Sequence, residues 1–562
     1  MSTPATEPVR ARATIWLGFI LMCLGMFMAI LDIQVVATSL PSIQHALAIS
    51  PDAISWIQTA YLIAEIVAIP LTGWLTRVLT LRWLFVSAVG LFTMASIGCA
   101  FSNGFAMLVS FRVLQGFAGG TLIPAVFSAV FLLFPLPQHP LATTMAGIMA
   151  VLAPTIGPVV GGWITDTYSW HWLFLINVIP GVVAASATPF LLPRDKPDRR
   201  ELTGLDGISL ALMAIALASV EIALKEAPQL GWLSPLCLLV LLLSAVATIF
   251  FATRTLKAAH PVVDLSTLRT RSFAIGCSLS FCLGVGLFGS VYLMPVFLAF
   301  VRRHDAFEIG TIMLVTGVSQ LIAAPIAGAL ESRCDPRWLS AAGFALFAIG
   351  LGCSAFQDRT ADFDAMFWPQ VLRGIAIMFC LLPPTRLALG ALTAAQVPDA
   401  SGLFNLMRNL GGAIGIALID TILYGRTGGH AEALRDRLIA GDVTAAKAIG
   451  LDVQLFTHRP PGMSDAAVEA YLRPIVERAA FALSTNEAWA LLAGVALLGL
   501  LLVAFAGPAP SAGETRQHKC RAQSLKGSTS QRSPSMKASA TCTSGDRSTS
   551  ETPLAISSRK RW

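Results

Sequence analysis

Charged residues are scarce in this chain of 562 amino acids: Asp, Glu, Lys and Arg together make up 13% of it, whereas apolar residues make up 55%. A soluble protein would carry about twice that proportion of charge. The apolar residues also come in long runs, each close to the roughly 20 residues that span a bilayer core. The composition therefore excludes an ordinary soluble protein and predicts an integral membrane protein.

Several signatures of catalysis and binding are also missing. No Gly-Lys dipeptide occurs, which excludes a phosphate-binding P-loop and a built-in ATPase. The eight His show no His-x-x-x-His spacing and the ten Cys form no Cys-x-x-Cys pair, so we expect no metal site, no disulfide framework and no enzyme. The net charge of +7 comes from basic residues at the ends of apolar runs, which disfavours nucleic-acid binding.

What is present is a succession of apolar runs separated by polar loops. The first run follows a short polar arm at 1–13 and is too long for the core of a signal peptide. We predict an all-α membrane protein of fourteen transmembrane helices. Their approximate bounds are 14–39, 53–75, 83–101, 105–130, 141–164, 170–192, 205–224, 232–252, 272–299, 307–330, 338–356, 365–390, 401–424 and 480–506.

The basic residues favour one orientation of these helices, because cytoplasmic loops of membrane proteins are enriched in Lys and Arg. With both termini inside, the short inner loops hold twelve basic residues and the short outer loops hold four, namely Lys225, Arg302, Arg303 and Arg359. A long external loop at 425–479 would contain a helix-like stretch at 431–449. The tail at 507–562 is rich in Ser, Thr and basic residues, and we expect it to be disordered in the cytoplasm.

The two ends of the chain share a weak internal repeat. Residues 70–75 (Pro-Leu-Thr-Gly-Trp-Leu) match 325–330 (Pro-Ile-Ala-Gly-Ala-Leu), and 113–116 resemble 371–374, with nearly equal offsets of 255 and 258 residues. This spacing predicts two six-helix halves, at 14–192 and 272–506, around an inserted helix pair at 205–252. Repeated halves are how secondary transporters build alternating access around a site near the membrane midplane.

Ionisable residues inside the predicted helices are the strongest functional signal, because a membrane-embedded charge is costly unless it is paired, hydrated or protonated. Asp32 lies in the first helix and Glu65 lies near the middle of the second. Either could carry a proton, and Glu65 could instead accept a cationic compound. The alternatives are an Asp32 solvated at the outer end of its helix and a Glu65 held in a structural salt bridge.

Two further patterns have a direct physical meaning. Arg112 in the fourth helix needs a carboxylate or carbonyl partner, and it would stabilise the charged form of a nearby acid, unless it is only a packing charge. In the fifth helix Pro158 removes a backbone hydrogen bond and kinks the helix. Gly157, Gly161 and Gly162 allow a neighbouring helix to approach closely, which suits a switch between the halves.

These stretches resemble the major facilitator superfamily, specifically the fourteen-helix drug:proton antiporters of the EmrB/QacA type. The resemblance covers about 14–506. It is carried by the acidic stretch at 31–41 closing on Leu-Pro, by Trp-x-x-Thr-x-Tyr at 56–61, by Arg-x-x-Gln-Gly at 112–116, and by Gly-Pro-x-x-Gly-Gly at 157–162, the motif that marks antiporters. The resemblance implies proton-coupled export of small apolar or amphipathic compounds across the inner membrane, with no cofactor beyond the proton gradient.

The resemblance also implies roles for individual residues. Asp32, Glu65, Arg112 and Gln115 would couple protons to transport. A cytoplasmic gate loop would contain Gly73 and Arg77, with Gly328 and Arg333 in the second half. The family usually has an Asp and a Gly where this chain has Arg77 and Thr80, which puts a charge-paired gate in doubt. Candidate substrate-binding residues are Gln34, Tyr61, Asn177 and Asn405.

Two alternatives remain at this point. An uptake permease or proton symporter would use the same fold, which by itself does not distinguish direction. A non-transporting sensor would not need the acids inside the membrane. The resemblance further implies a possible periplasmic membrane-fusion adaptor and outer-membrane channel as partners, with the loop at 425–479 as a contact.

Overall fold

The computed structural model describes residues 8–49, 51–194, 206–258, 261–331, 333–390, 392–451 and 466–506, and every regular element within these ranges is a helix. Thirteen helical stretches there are long and apolar enough to cross a membrane. One of them, Trp56–Ala100, has 45 residues, more than twice what a bilayer core requires. It breaks at Thr80 and so provides two crossings. The all-α membrane fold is confirmed, with the fourteen crossings that were predicted.

The first half contains six crossings, the second of which runs through α2 and the first turns of α3 as far as the break at Thr80. The chain passes from α2 through a 3-10 turn at Ile69–Leu71 into α3, and a short helix at His171–Leu175 precedes α6. The helices are α1 (Pro8–Ala46), α2 (Trp56–Ala68), α3 (Thr72–Ala100), α4 (Phe105–Leu133), α5 (His139–Thr167) and α6 (Val178–Leu191).

The remaining crossings comprise the inserted pair and the second half. The inserted pair is α7 (Gly207–Leu230) and α8 (Pro235–Thr255). The second half is α9 (Arg271–Phe297), α10 (Ala306–Glu331), α11 (Pro336–Cys353), α12 (Phe363–Leu389), α13 (Val397–Ile439) and α14 (Ala466–Val503).

The described residues of the segment expected to be an external loop at 425–479 are mostly helical, in agreement with the helix-like stretch predicted at 431–449. The helix α13 continues to Ile439, and α14 already begins at Ala466, so both extend past the apolar part of their spans. A short helix at Val443–Ala448 packs between the extensions, with its apolar residues against Leu434 and Leu438 of α13 and Val476 of α14. We call the extensions and this short helix the projection. Residues 1–7, 452–465 and the tail at 507–562 lie outside the described residues.

The inserted pair lies at the periphery. The helix α7 packs on α8 and contacts both α2 of the first half and α13 of the second. At one end, Asp206 caps α7 by accepting from the Ser209 amide at 3.2 Å, and Arg254 of α8 donates to the same carboxylate at 2.5 Å. The hydrogen bond from Arg254 holds the pKa of Asp206 well below its usual value. The pair is therefore a tied hairpin that touches both halves.

The two halves meet along α5 and α10. A Cβ added at Gly317 of α10 would overlap the Thr155 side chain of α5, and one added at Gly328 would lie 2.2 Å from the Thr144 hydroxyl. The absence of a side chain at these glycines therefore permits the close approach of the helices. A second contact joins α13 to α3 and α4 at the end that carries residues 72–80 and 392–399, which we call the gate end.

Thr80 ends the gate-end turn in an unusual backbone conformation. Its φ is 71° and its ψ is 156°, a region that is occupied almost only by glycine, and a β-branched residue there stores about 1–3 kcal/mol of strain. This conformation gives a physical reason for the glycine that related loops have at this position.

We predict that Thr80→Gly stabilises the protein, because glycine adopts this conformation without strain. The thermal midpoint of the purified protein should rise by about 1–3 °C. The matched control is Thr76→Gly, which lies in regular helix and should lower stability by about 1 kcal/mol. A lower midpoint for Thr80→Gly would show that the strain is not present in solution.

Candidate functional site

Asp32 is the centre of a fully buried polar network. Arg112 of α4 forms an ion pair with its carboxylate. Gln115 of α4 and Asn177, just before α6, donate to Asp32 Oδ1 at 2.8 Å and 2.9 Å. Gln115 also donates to the Ser96 hydroxyl of α3 at 2.8 Å. Four helical segments are thus tied to one carboxylate. Because Asp32 is fully buried, the structure contradicts the alternative in which Asp32 is solvated at the outer end of its helix.

Arg112 is held in place from several sides. Its Nη1 donates to Gln115 Oε1 at 2.7 Å, and its Nε donates to the Ile57 carbonyl at 3.2 Å. Its guanidinium lies 4.2 Å from the centre of the Tyr61 ring, and Tyr61 in turn donates to the Ala29 carbonyl. Removing one partner of such a buried pair leaves an uncompensated charge and costs about 3–5 kcal/mol. Protonation of Asp32 would have the same effect on Arg112.

Two residues that were proposed to bind substrate belong to this network. Tyr61 is fully buried with the Arg112 guanidinium over its ring, and the Asn177 amide donates a hydrogen bond to the Asp32 carboxylate. Neither lies free in a cavity. The sequence could not distinguish substrate binding from a place in a buried network, because both roles put a polar residue within an apolar helix.

Glu65 does not belong to the direct ion pair. It is buried in α2 and interacts electrostatically with Arg112, Asp32 and Glu221 of α7. Glu221 is an acid that sequence reasoning missed, although it lies inside an apolar run, which is the criterion that identified Glu65. One turn further along α7, Lys225 lies 4.1 Å from the centre of the Trp56 ring of α2. The inserted pair therefore adds a second acid beside Glu65.

The helix α5 connects the two halves. A Cβ added at Gly157 would lie 2.4 Å from Gln34 Cβ of α1, and the Ser39 hydroxyl of α1 lies 2.5 Å from the Thr165 hydroxyl. Both Pro158 and Gly161 are buried, whereas Gly162 is partly exposed. On its other side α5 contacts α10, as described above. A movement of α5 would therefore displace both α1, which carries Asp32, and α10 of the second half.

The gate end does contain a charge pair, contrary to the doubt raised by the sequence. Arg77, in the first turns of α3, forms an ion pair with Asp399 at the start of α13, and Gly73 lies directly against the Asp399 side chain. The basic residue comes from the first half and the acid from the second. In the repeated loop, Gly328 contacts Thr144 and Arg333 is exposed. Sequence could not predict the Arg77 pair because its partner lies 322 residues away.

The helix α13 also presents buried polar groups to the first half. Ser401 donates to the Pro124 carbonyl of α4 at 2.8 Å. Asn405 donates to the Ser401 carbonyl, but its Oδ1 is buried without a hydrogen-bond partner. Arg408 lies 5.5 Å from the ring centres of both Phe127 and Phe404, and its Nε and Nη2 donate no hydrogen bond. Two cation–π contacts contribute about 1–4 kcal/mol, whereas burying the charge costs several kcal/mol.

The second half has no counterpart of the Asp32 network among the described residues. At the repeat offset of 258, Gln370 and Arg373 stand in the positions of Arg112 and Gln115. Gln370 accepts from the Thr316 hydroxyl at 2.9 Å, and Arg373 contacts the Trp489 ring at 4.7 Å. Among the described residues, a fully buried ion pair is therefore found only in the first half.

Comparisons with known proteins agree with this architecture. The sequence pattern of the Major Facilitator Superfamily matches residues 22–416. The chain is 39% identical to the colistin resistance protein EmrB of Acinetobacter baumannii over 74% of this chain and 82% of that protein. It is 31% identical to the multidrug export protein EmrB of Escherichia coli over 88% of this chain and 96% of the relative.

A solved structure supports the fold alone. The human organic anion transporter MFSD10 (TETRAN) aligns with a TM-score of 0.56 over 88% of this chain and 100% of that chain, at 12% sequence identity.

The gate pair can be tested by a double-mutant cycle. We predict that Arg77→Gln and Asp399→Asn each lower the thermal midpoint, and that the double variant is little worse than either, because both remove the same ion pair. Contacting residues couple by about 0.5–3 kcal/mol. Arg426→Gln combined with Asp399→Asn is the control, since Arg426 pairs with Glu487 elsewhere and the losses should add. Additive losses for Arg77 and Asp399 would contradict the gate pair.

Proposed function

Because the chain belongs to the major facilitator superfamily, we propose that it is a proton-coupled multidrug exporter that works by alternating access. The observation that carries the proposal is the buried Asp32–Arg112 pair, which joins the helices of the first half through one titratable group. The relatives named for multidrug export and colistin resistance support drug-like, apolar or amphipathic substrates.

The geometry supports a specific order of events. While Asp32 is ionised, its carboxylate holds Arg112, Gln115 and Asn177 together. When Asp32 accepts a proton, Arg112 loses its counter-charge, and the cost of that buried charge favours a rearrangement of α1 and α4. The helix α5 touches α1 at Gln34 and α10 at Gly317, so it would transmit the movement to the second half. Proton binding on one side and release on the other would then drive export.

Glu65 and Glu221 would serve as further proton-carrying groups beside Asp32. They lie within electrostatic range of one another, and Glu65 has no hydrogen-bond or ion-pair partner among the described residues, which disfavours the structural salt bridge considered for it. The gate pair of Arg77 and Asp399 would close the cytoplasmic side during release.

The chain is a multi-pass membrane protein, and we place it in the inner membrane with both termini in the cytoplasm. The distribution of Lys and Arg in the short loops supports this orientation. The transported compound and protons are its small partners, and the proton gradient is its energy source, without a cofactor. This orientation puts the gate end at the cytoplasm and the projection in the periplasm.

The alternative is a proton-coupled uptake permease of the same fold. The Gly-Pro-x-x-Gly-Gly stretch at 157–162 and the inserted pair favour export over uptake. The direction of transport relative to an imposed proton gradient distinguishes the two.

The projection is the part of the chain that we propose as the contact for a periplasmic membrane-fusion adaptor, through which an outer-membrane channel would be reached. It has its own small apolar core around Leu434, Leu438 and Ala480. It also exposes apolar side chains to the outside, among them Ile439 and Tyr471. A preformed helical unit presents a more defined surface to a partner than a loop would.

We predict that Asp32→Asn abolishes proton-driven accumulation of a fluorescent drug in everted membrane vesicles whose lumen is acidified, because an amide at position 32 can neither bind nor release the coupling proton. Glu65→Gln should reduce the rate to a lesser extent. Asp166→Asn, at an exposed position near the end of α5, is the matched control and should transport normally. Wild-type transport by Asp32→Asn, or accumulation that ignores an uncoupler, would refute proton coupling through this site.

Removing residues 441–465 tests the proposed adaptor contact. We predict that this deletion abolishes co-purification of the adaptor, because it removes the short helix that packs between the extensions of α13 and α14. Deletion of the tail at 510–562, which we place on the other side of the membrane, is the control. Undiminished co-purification after the first deletion would remove this contact from the proposal.

A further inference from the structure

Arg373 is a buried cation in the middle of the second half. It lies ten residues after Phe363, the first residue of α12, which corresponds to about 15 Å of helix, or about half of a bilayer core. The residue is 3% exposed. Ionisable side chains at this depth are costly unless they are paired or hydrated. The partners of Arg373 therefore need to be identified.

The described residues offer Arg373 almost no partner. Its Nη2 donates to Met294 Sδ of α9 at 3.3 Å, and a thioether is only a weak acceptor. Its Nε and Nη1 are buried without any described acceptor. The acids of the second half have other places: Asp420 accepts from the Tyr292 hydroxyl at 2.7 Å, and Glu331 ends α10. The positive charge of Arg373 is therefore uncompensated within the part of the chain that the structure describes.

The groups without partners around Arg373 are donors. The guanidinium lies 4.7 Å from the centre of the Trp489 ring of α14, and the buried Nε1 of Trp489 has no described acceptor. One turn earlier on α12, Gln370 accepts from the Thr316 hydroxyl through its Oε1, whereas its Nε2 has no described acceptor. Buried polar atoms are rarely left without partners in folded proteins. Three buried side chains with free N–H groups and no free acceptor favour an anion.

The first half shows what completes the equivalent position. There Gln115, which stands 258 residues before Arg373, donates to the Asp32 carboxylate of α1 at 2.8 Å. The first helix of the second half is α9, and it presents the Met294 thioether to Arg373 where α1 presents a carboxylate to Gln115. The second half thus has a cation at this position and lacks the anion that the first half carries in its own chain.

We propose that Arg373 and the indole N–H of Trp489 bind a small monovalent inorganic anion of the size of chloride inside the second half. One negative charge balances the single guanidinium, whereas a divalent anion would leave a net charge buried. The anion joins α12 to α14, as the Asp32 carboxylate joins α1 to α4, and Gln370 is a further donor on the adjacent turn. The ion is a fixed ligand and not a transported compound, so this site does not depend on the proposed function.

A chloride titration of the purified full-length protein tests the site without a transport assay. Sodium chloride replaces sodium gluconate at constant ionic strength, because gluconate is too large for an enclosed site. The thermal midpoint of the wild-type protein should rise by at least about 2 °C and then level off, since a ligand that binds only the folded state stabilises it until the site is saturated. Equal midpoints in the two salts, or a rise that does not saturate, overturn the proposal.

Replacing Arg373 assigns the chloride effect to this site. Arg373→Met removes the charge and keeps a long side chain, and apolar residues often replace a buried ion pair without loss of stability. This variant should have the same midpoint in chloride and in gluconate. Arg426→Gln is the matched control, because it changes an exposed arginine that pairs with Glu487, and it should keep the wild-type response. A saturable chloride response that persists in Arg373→Met overturns the proposal.

Trp489→Phe tests the second donor and retains Arg373. Phenylalanine keeps an aromatic ring beside the guanidinium but has no N–H, so the half-saturating chloride concentration should rise by about tenfold, the loss expected for one hydrogen bond to a charged group. An unchanged half-saturating concentration overturns the binding of the anion by Trp489. Failure of proton-driven transport in vesicles would refute the proposed function alone, and the chloride response would still decide this site.

Discussion

The ion pair between Asp32 and Arg112 is the interaction on which the first half depends. A carboxylate and a guanidinium without water are stable together only if their geometry is good and the remaining polar atoms are satisfied. Here Gln115 and Asn177 complete the coordination of Asp32, so that α1, α4 and the start of α6 share one charge balance. A single proton alters that balance for all of them at once. This is why one titratable group can control the packing of several helices.

The two halves share a fold but not a charge distribution. The second half has Arg373 where the first has Gln115, and the described residues provide no acid beside it. Arg373 and Arg408 are buried in the second half without an ion pair among the described residues, but the second half also contains the buried Glu331 and the partly buried Asp420. The first half and the inserted helix α7 contribute Asp32, Glu65 and Glu221. The gate pair follows neither pattern, because Arg77 comes from the first half and Asp399 from the second. The repeat of the backbone therefore does not extend to the placement of the ionisable residues.

Much of the fold could be predicted because it depends on local composition. Runs of about 20 apolar residues indicate crossings regardless of what they pack against, and the all-α fold with fourteen crossings followed from them. The segment at 425–479 was predicted less well. Its extensions are amphipathic and polar, so they do not register as membrane spans, and their helical state is stabilised by packing of Leu434 and Leu438 against α14. The roles of Tyr61 and Asn177 could not be predicted from the sequence either, because both depend on the positions of Arg112 and Asp32 in space.

The sequence by itself determined that the chain is a membrane protein with an internal repeat. It also identified Asp32, Glu65 and Arg112 as candidate functional residues, because a charge inside the hydrocarbon core is costly wherever it lies along a helix. Only the tertiary structure decided which charges meet. It joined Arg77 to Asp399 across 322 residues, placed Glu221 in electrostatic range of Glu65, and gave Arg408 no counter-ion among the residues that the structure describes. Pairing depends on distances between helices that are far apart in the chain, and these distances are set by how glycines such as Gly157 and Gly317 allow the helices to pack.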